Sequence, residues 1–586
     1  MGNYNRYFLT ILILTGAVSI AAQAAVGEYV PVTDAMLQNP PPEDWLSWRR
    51  TLDSWGYSPL QQVNRANVTR LQLVWSSDLV AEGLQEGTPL VHAGVLYMPN
   101  PKDVIQAIDA ETGKLLWEYR RQMPADLKEK VGGASDTKRN IAIYDKLIIY
   151  TSNDDYIVGI DALTGKQVWQ TQILDYRTQP AQQSNGPIII EGKAISGRGC
   201  FPRAGPTACV ITAHDARTGK EVWRFFNIQK PGAANDTWGN IPYEGRWHTG
   251  SWMMPSYDPQ LRLIYMGTSV TAPAPKFLLA GNDKQYLYHN STLALNPDTG
   301  QLVWYYQHLV DHWDLDHPFE RYLIDTAVAP DASEVTWINP RIKPGEKRKV
   351  VTGIPGKTGI IYTLDRETGE FLWARPTVKQ TVVANIDGAT GKVTVNPEME
   401  YSAMGQSRFV CPSTSGGKLF QAGAYSPLTN AMYQPLQNTC MVTTVTIDKP
   451  DPEALYGFTS KLQLTPGTDK LGTFEAVSVE TGKTLWKYEQ RAGTTSMVTT
   501  GGGLVFGGDA AGILRAFDQK DGKILWQTDL GSPITGYPVS YAVNGRQYIA
   551  VNTGFSLATL SYLRLTPELK PKNEYKLYVF ALPEGQ

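Results

Sequence analysis

The segment DAETGKLLW at residues 109–117 recurs with small changes along the chain and decides its fold. Each copy holds a Thr-Gly or Asp-Gly pair and ends on tryptophan four residues later. The other copies are DALTGKQVW (161–169), DARTGKEVW (215–223), NPDTGQLVW (296–304), DRETGEFLW (365–373), SVETGKTLW (478–486) and DQKDGKILW (518–526). Because glycine readily supplies the positive φ of a tight turn, each copy predicts a β-hairpin whose second strand ends on tryptophan.

The two ends of the chain complete this pattern. Trp75 in LQLVW (71–75) has the final strand without its hairpin, and the missing strand appears in YKLYVFALPEG (575–585). Radial stacking would cover the faces of such sheets, with each tryptophan between neighbours. The sequence therefore predicts an all-β, eight-bladed β-propeller with tryptophan-docking repeats, its ring closed by N- and C-terminal strands. A solenoid is the alternative, but it does not explain why the ends complete each other.

Composition limits the function classes. The chain has 586 residues, with 54 Lys and Arg against 56 Asp and Glu and a net charge of −2. This near-neutral balance lacks the basic footprint of a nucleic-acid-binding protein. The hydrophobic fraction of 42% is sufficient for a large buried core.

The N-terminal residues resemble an export signal. Arg6 precedes the apolar run FLTILILTGAVSIAA, and Ala22-Gln23-Ala24 follows as a small-x-small cleavage pattern. An uncleaved anchor is the alternative, but the run is shorter than the roughly 20 apolar residues of a spanning helix. We therefore expect a signal peptide at residues 1–24, one propeller domain at 25–586 without a membrane span, and export to the periplasm.

Four cysteines fit an exported protein. Proximity in sequence favours disulfides Cys200–Cys209 and Cys411–Cys440 among the three possible connectivities. The paired C-x₂-C spacing of zinc sites is absent. No C-x-x-C-H motif is present, so covalently attached c-type haem is not expected.

Long insertions follow the tryptophans or precede the third strands, which places them on one face of the predicted ring. One of them, HLVDHWDLDHPFE at residues 308–320, is rich in acids and histidines. It fits a solvated acidic turn, a zinc site using His308 and His312, or an oxygen-ligand site in which one carboxylate is a general base.

Four further residues on this face suit a flat, polyanionic ligand. Trp252 begins a strand near the predicted axis and offers an aromatic floor, although a core position is its default interpretation. Glu86, Arg139 and Lys357 lie in loops on the same face, where each alone could be an ordinary surface charge. Together they would hold the polar edges of a planar cofactor.

With these motifs the chain resembles the pyrroloquinoline-quinone (PQQ) dependent alcohol dehydrogenases, which include methanol and ethanol dehydrogenases. The shared segments are the tryptophan repeats, EGTPL, W-x₃-S-Y-D-P, W-D-x-D and T-L-D-R-E-T-G, and the resemblance covers nearly the whole predicted mature chain.

The resemblance implies an alcohol substrate, PQQ as cofactor, and electron transfer to a separate cytochrome c or a quinone. By the same likeness Asp314 would be the catalytic base and Trp252 would stack under PQQ. Lys357 would contact the quinone carbonyls, while Glu86 and Arg139 hold the polar edges. Asp314 and Asp316 would bind Ca²⁺ or a lanthanide, and family members with the second acid are often lanthanide enzymes.

The chain departs from the family pattern at four places. Gly133-Ala134 stands where the family has adjacent cysteines, and the segment SGRGCFPRAG lacks the family's metal-binding glutamate. The metal-binding asparagine falls at or near Val270, and an Asn-Trp pair is replaced by Leu419-Phe420. Either neighbouring residues substitute, or Arg198 or Arg203 replaces the charge of the metal, or PQQ binds differently.

Two other functions remain open from the sequence. One is a non-catalytic periplasmic scaffold or binding module, which the incomplete metal shell favours and the retained Asp314, Trp252 and Lys357 oppose. The other is a hydrolytic or isomerising propeller that uses the same carboxylates with calcium, although no feature specifically requires it.

Overall fold

The computed structural model of the protein describes residues 29–131 and 136–585. The predicted signal peptide and Gly133-Ala134 lie outside these ranges. The described chain is mainly β-structure, as predicted. Its α-helices are Asp34–Gln38, Leu127–Val131 and Leu557–Leu565, and its short 3-10 helices are Val68–Arg70, Pro202–Ala204, Pro206–Ala208, Tyr243–Gly245, Lys276–Leu278 and Pro397–Met399. In the part of the chain that the structure describes, no helix combines the length and the apolar character needed to cross a membrane.

Eight sheets, each built on four antiparallel strands, make up most of the fold. In sheets 1 to 7 the strands follow the order of the chain, whereas sheet 8 takes its fourth strand from residues 72–78. Sheets 1 to 4 consist, in this order, of Leu90–His92, Val95–Asn100, Val104–Asp109 and Leu115–Arg120; of Ala142–Tyr144, Leu147–Thr151, Tyr156–Asp161 and Gln167–Gln172; of Ile188–Ile190, Lys193–Ser196, Val210–Asp215 and Glu221–Phe226; and of Ser256–Asp258, Leu263–Gly267, Ser291–Leu295 and Leu302–Gln307.

Sheets 5 to 8 repeat the arrangement. They consist, in this order, of Tyr322–Val328, Glu346–Gly353, Ile360–Asp365 and Phe371–Pro376; of Ala424–Ser426, Ala431–Gln437, Gly472–Ser478 and Thr484–Gln490; of Thr494–Thr500, Leu504–Asp509, Ile513–Asp518 and Ile524–Asp529; and of Ile534–Val543, Arg546–Thr553, Lys576–Ala581 and Gln72–Asp78. Tyr57–Ser58 adds a parallel strand to sheet 7, and Trp337–Ile338 extends sheet 5.

Sheet 8 joins the two ends of the described chain. Its fourth strand is Gln72–Asp78, which pairs antiparallel with Lys576–Ala581 so that Trp75 lies opposite Val579. The sequence assigned these two segments to one sheet, and the structure shows the pairing.

The repeat tryptophans contact the next sheet in the series. The indole of Trp117 in sheet 1 lies against Gly165 (φ 70°) of sheet 2, where a Cβ atom would come within 2.6 Å of the ring. Its Nε1 donates to the Ala162 carbonyl at 3.0 Å. The corresponding pairs are Trp75 with Gly113, Trp169 with Gly219, Trp223 with Gly300, Trp304 with Gly369, Trp373 with Gly482 and Trp486 with Gly522. Trp526 of sheet 7 donates to the Leu71 carbonyl at 3.1 Å, immediately before the last strand of sheet 8. The contacts thus run from each sheet to the next and from sheet 8 back to sheet 1.

Additional strands lie in the insertions. They form a pair of Ala181–Gln182 and Gly199–Cys200, a hairpin of Val383–Ile386 and Val393–Val395, and a three-stranded sheet of Ser407–Val410, Thr439–Val445 and Phe458–Leu464. Both predicted disulfides, Cys200–Cys209 and Cys411–Cys440, are present in these regions. Because the strands of a sheet alternate in direction, the loops after the second and fourth strands leave from the same end.

Candidate active site

All the predicted site residues lie in loops at that one end of the sheets. Glu86, Arg139, Trp252 and the Asp314 loop precede the first strands of sheets 1, 2, 4 and 5, and Lys357 lies between the second and third strands of sheet 5. This common origin explains how residues distant in sequence come together.

The acidic loop of residues 308–320 is mostly buried and is not a solvated turn. Asp311 has no exposed surface, and its carboxylate accepts hydrogen bonds from the backbone N–H groups of Trp313 at 2.7 Å and Leu315 at 2.5 Å. These two bonds flank Asp314, whose φ of 64° is a left-handed conformation that aspartate tolerates better than most residues. Asp311 therefore fixes the backbone that presents the Asp314 carboxylate.

The Lys357 ammonium bridges the two acids of W-D-x-D. Its Nζ lies 2.7 Å from Asp314 Oδ1 and 3.1 Å from Asp316 Oδ2, and it also donates to the Asp314 carbonyl at 3.1 Å. Burial alone would lower the pKa of Lys357, but the two carboxylates hold it above its ordinary value. Lys357 is accordingly a fixed positive charge at neutral pH.

The two carboxylates differ in their protonation. Burial, together with repulsion from Asp316, raises the pKa of Asp314 to about 7 against the opposing effects of Lys357 and the Tyr456 hydroxyl, which donates to Asp314 Oδ1 at 2.7 Å. Burial tends to raise the pKa of Asp316 as well. The Lys357 ammonium and the Val270 N–H, 2.8 Å from Oδ1, outweigh this effect and keep the pKa of Asp316 below its ordinary value. Two acids whose pKa values are driven apart in this way can serve as a proton acceptor and as a fixed charge.

A second group joins Glu86, Arg139 and Trp252. Arg139 Nη2 pairs with Glu86 Oε2 at 2.6 Å in a fully buried position, and Glu86 Oε1 accepts from the Leu557 N–H at 2.9 Å. Burial raises the pKa of Glu86, against the opposing charge of Arg139. The Arg139 guanidinium carbon lies 5.1 Å from the ring centre of Trp252 and 4.6 Å from that of Phe420.

The two groups are neighbours through Phe319. Trp252 and Phe319 are in edge-to-face contact with ring centres 5.5 Å apart, and Phe319 is three residues beyond Asp316. The segments of Trp252 and Val270 are also joined directly, because the Ser269 N–H donates to the Gly250 carbonyl at 2.8 Å. A partly buried aromatic face, an arginine and a carboxylate–ammonium cluster thus converge in one region.

The arginines considered as replacements for a metal charge lie elsewhere. Arg198 is 3.7 Å from Asp155 and donates to the Thr212 hydroxyl at 3.1 Å. Arg203 contacts Glu453 at 3.6 Å and the Lys130 carbonyl at 2.6 Å. The positive charge beside the acid pair is therefore that of Lys357.

The histidines of the acidic loop make hydrogen bonds instead of forming a zinc site. His308 Nε2 pairs with the Thr292 hydroxyl at 2.7 Å, and His312 Nδ1 accepts from the Lys276 N–H at 3.3 Å. Over residues 29–131 and 136–585, no three His, Cys, Asp or Glu side chains are grouped so as to hold a metal ion.

Two contacts of the site were not found from the sequence. Tyr456 lies in the long insertion of sheet 6, where KPDPEALYGF carries no motif that would single it out. In the sequence, Val270 stood out because it replaces the family's metal-binding asparagine. In the structure its backbone N–H contributes to the site by donating to Asp316 Oδ1. Only the tertiary arrangement of the loops reveals either contact.

The geometry defines a class of protein: a β-structure that holds a buried carboxylate pair, a lysine ammonium and an aromatic, arginine-lined face at one end of its sheets. Residues 45–394 and 468–549 match the family model described as the PQQ glucose/ethanol/alcohol dehydrogenase β-propeller domain. The chain therefore belongs to the PQQ-dependent alcohol dehydrogenase family and has its all-β propeller fold.

Individual relatives agree with this assignment. The chain is 30% identical to the dehydrogenase subunit of the alcohol dehydrogenase (quinone) of Komagataeibacter europaeus, over 91% of this chain and 74% of that protein. It is 29% identical to the quinoprotein alcohol dehydrogenase PedH of Pseudomonas putida, over 93% and 91%. A solved europium-containing methanol dehydrogenase superposes with a TM-score of 0.82 at 26% identity, covering 94% of this chain and 99% of that one. These relatives favour an enzyme over a non-catalytic scaffold.

Proposed function

We propose that this protein is a PQQ-dependent dehydrogenase that oxidises an alcohol to an aldehyde or ketone, with Asp314 as the catalytic base. The observation that carries the proposal is the Asp314 carboxylate itself. It is held between Lys357 and Tyr456, has a pKa of about 7, and lies in the same region as the aromatic and arginine face. A base poised near neutral pH is suited to accept the proton of an alcohol hydroxyl.

We further propose that the eight sheets are the eight blades of a single propeller domain at residues 25–586. The support comes from the contacts between repeat tryptophans and glycines, which follow the sheets in order and return from sheet 8 to sheet 1. The pairing of Gln72–Asp78 with Lys576–Ala581 would then close the ring.

The residues present fit PQQ, a flat tricyclic quinone with three carboxylates. Trp252 is partly exposed within the site, and the buried Arg139 keeps its Nε atom without a hydrogen-bond partner. Trp252 would stack on the ring system, Arg139 with Glu86 would hold an edge, and Lys357 would face the quinone carbonyls. When bound, PQQ supplies the acceptor for the hydride from the alcohol carbon.

The chain's own residues accept the proton, orient the base, stabilise charge and exclude water. Asp314 Oδ removes the hydroxyl proton of the alcohol as the hydride leaves its carbon. Tyr456 orients the carboxylate through its hydrogen bond to Oδ1. Lys357 stabilises negative charge that develops nearby, and its position is set by the backbone bond from its N–H to the Asp316 carbonyl at 2.8 Å. Phe319 and Phe420, which are almost fully buried, exclude water from the site.

The donor set does not fit a calcium or lanthanide ion. Such ions prefer six or more oxygen ligands. The acid pair supplies two carboxylates already shared with an ammonium, and the described residues provide no third acidic, cysteine or histidine ligand in position. The assignment of Asp314 and Asp316 as metal ligands stays a prediction, and no catalytic step is derived through a metal.

The electrons leave, in this proposal, to a separate cytochrome c or another external acceptor such as a quinone, since the chain has no C-x-x-C-H motif. The reaction takes place in the periplasm after removal of the signal peptide at residues 1–24. The two disulfides of the structure are in keeping with such an oxidising compartment.

An Asp314→Asn variant tests the assignment of the base. We expect turnover with a panel of primary, secondary and aromatic alcohols to fall by about a hundredfold or more, the usual contribution of a general base. PQQ retention, measured by its absorbance in the purified holoenzyme, should be unchanged. Asp325→Asn is the matched control, since Asp325 is an exposed carboxylate on the first strand of sheet 5. Unchanged turnover in Asp314→Asn would exclude Asp314 as the base, and failure of the wild type to bind PQQ would refute the proposed function.

A further inference from the structure

We propose that the resident cation of this site is the Lys357 ammonium, and that PQQ binds here without a calcium or lanthanide ion. The inference rests on the proposed function, because it concerns the same cofactor site. It follows from the disagreement between the metal that the family implies and the donors that this chain provides.

The oxygens of the acid pair are largely engaged. Asp314 Oδ1 accepts from both Lys357 and Tyr456 at 2.7 Å. Asp316 Oδ1 accepts from the Val270 N–H at 2.8 Å, and Oδ2 pairs with Lys357 at 3.1 Å. Three of the four carboxylate oxygens therefore accept four N–H or O–H contacts in total, and a metal ion would have to displace these donors.

The positions where the family pattern places further ligands carry positive rather than negative groups. At Val270 the chain offers a backbone N–H, whose positive end points at Asp316. In the segment SGRGCFPRAG the buried charged residue is Arg198, which lies beside Asp155 instead of the acid pair. The sequence outside residues 29–131 and 136–585 contains one acid, Glu28, and no histidine or cysteine. The chain therefore has little with which to complete an oxygen shell.

The ammonium, in contrast, is fully coordinated. It has three N–H donors, and three oxygens surround it: Asp314 Oδ1, Asp314 O and Asp316 Oδ2, at 2.7, 3.1 and 3.1 Å. Its backbone is fixed on both sides, because the Lys357 N–H donates to the Asp316 carbonyl and the Gly417 N–H donates to the Lys357 carbonyl, both at 2.8 Å. Lys357 thus has a compact charge in a set position, as a bound metal would.

The first test measures PQQ binding and metal binding separately. The apo-protein is freed of metal with a chelator and titrated with PQQ, following the quenching of tryptophan fluorescence, with chelator, calcium or lanthanum present. The purified holoenzyme is also analysed for metal. We expect stoichiometric PQQ binding in chelator, an affinity that calcium or lanthanum changes by less than about threefold, and substoichiometric metal in the holoenzyme.

The second test removes the ammonium. Terbium luminescence, sensitised by the protein, reports a trivalent ion at the acid pair. We expect no stoichiometric terbium site in the wild type and a gain of about tenfold or more in terbium affinity in Lys357→Met, since the carboxylates then lack a counter-charge. PQQ affinity in chelator should fall by about tenfold in this variant. Lys343→Met, at an exposed position, is the matched control.

The outcomes separate this inference from the proposed function. PQQ binding that requires calcium or lanthanum, or one tightly held metal ion per wild-type chain, would overturn the metal-free site while leaving the dehydrogenase proposal intact. A terbium site in the wild type that Asp316→Asn removes would also overturn it. PQQ binding under none of these conditions would refute both.

Discussion

The pH dependence of alcohol oxidation provides a direct test of the base and of its hydrogen bond. Asp314 acts as a proton acceptor only when ionised, and its pKa is about 7. The value of kcat/KM should therefore rise with pH. The ionised fraction changes from about 9% to about 91% between one unit below and one unit above the pKa, which predicts an increase of about tenfold across that interval.

Replacing Tyr456 by phenylalanine should displace this profile to higher pH. The tyrosine donates to Asp314 Oδ1 at 2.7 Å and stabilises the ionised carboxylate, so its loss raises the pKa of Asp314. A hydrogen bond to a charged group contributes roughly 1.5 kcal/mol, and one pKa unit corresponds to about 1.4 kcal/mol. The profile should move up by about one pH unit, which lowers kcat/KM by about fivefold at pH near 7 and leaves it almost unchanged two units higher.

The assay is steady-state dye reduction by the PQQ-loaded enzyme over a series of pH values, repeated with a second electron acceptor to exclude effects of the dye. Tyr433→Phe is the control, because this buried tyrosine donates to the Gln519 carbonyl at 3.0 Å, away from the site. A wild-type profile that is flat or falls through neutral pH would contradict Asp314 as the base. A Tyr456→Phe profile with equal loss at every pH would show that Tyr456 does not act through the protonation of Asp314.

Three further substitutions test the cofactor face and the fold. Trp252→Ala should weaken PQQ binding by about tenfold, since stacking on an aromatic ring contributes roughly 1–3 kcal/mol. The thermal unfolding midpoint of this variant should change little. An intact PQQ affinity, measured by fluorescence titration, would exclude the stacking role of Trp252. Glu86→Gln leaves the buried Arg139 without an ionised partner and should lower the free energy of unfolding in urea by about 3–5 kcal/mol. The control is Glu82→Gln, which removes an exposed pair with lysine. It should lower the free energy of unfolding by less than about 1 kcal/mol. Trp373→Ala removes a fully buried indole and should cost about 3–5 kcal/mol in the same measurement; a loss below about 1 kcal/mol would argue against tryptophan contacts as the main link between sheets.

The repeats were predictable because their chemistry is local. Each Thr-Gly turn and the tryptophan after it define a hairpin within nine residues, so the copies could be aligned and the shared sheet at the chain ends inferred. The placement of Glu86, Arg139 and Lys357 on one face followed from the loops in which they lie, and the role of Asp314 beside a cofactor from the family resemblance. Neither predicted which of these residues pair directly. The structure shows Glu86 in contact with Arg139, and Asp314 with Lys357.

The charge balance of the site was not predictable in the same way. The sequence offered Arg198 and Arg203 as replacements for a metal charge, but their partners are Asp155 and Glu453. Tyr456 reaches Asp314 from a long insertion whose path depends on tertiary packing and not on a short-range pattern. Contacts of this kind depend on the relative positions of separate loops, which periodicity and spacing do not specify.

The pairing of Gln72–Asp78 with Lys576–Ala581 also has a consequence for biosynthesis. Sheet 8 combines residues 72–78 with residues 576–581, so it remains unfinished until Lys576–Ala581 has been synthesised and has met the earlier strand. Premature termination before Lys576 would leave Arg546–Thr553 and Gln72–Asp78 with unpaired backbone donors and acceptors, an edge prone to aggregation. Quality control by proteases would then discriminate chains that contain Lys576–Ala581 from chains truncated before this strand.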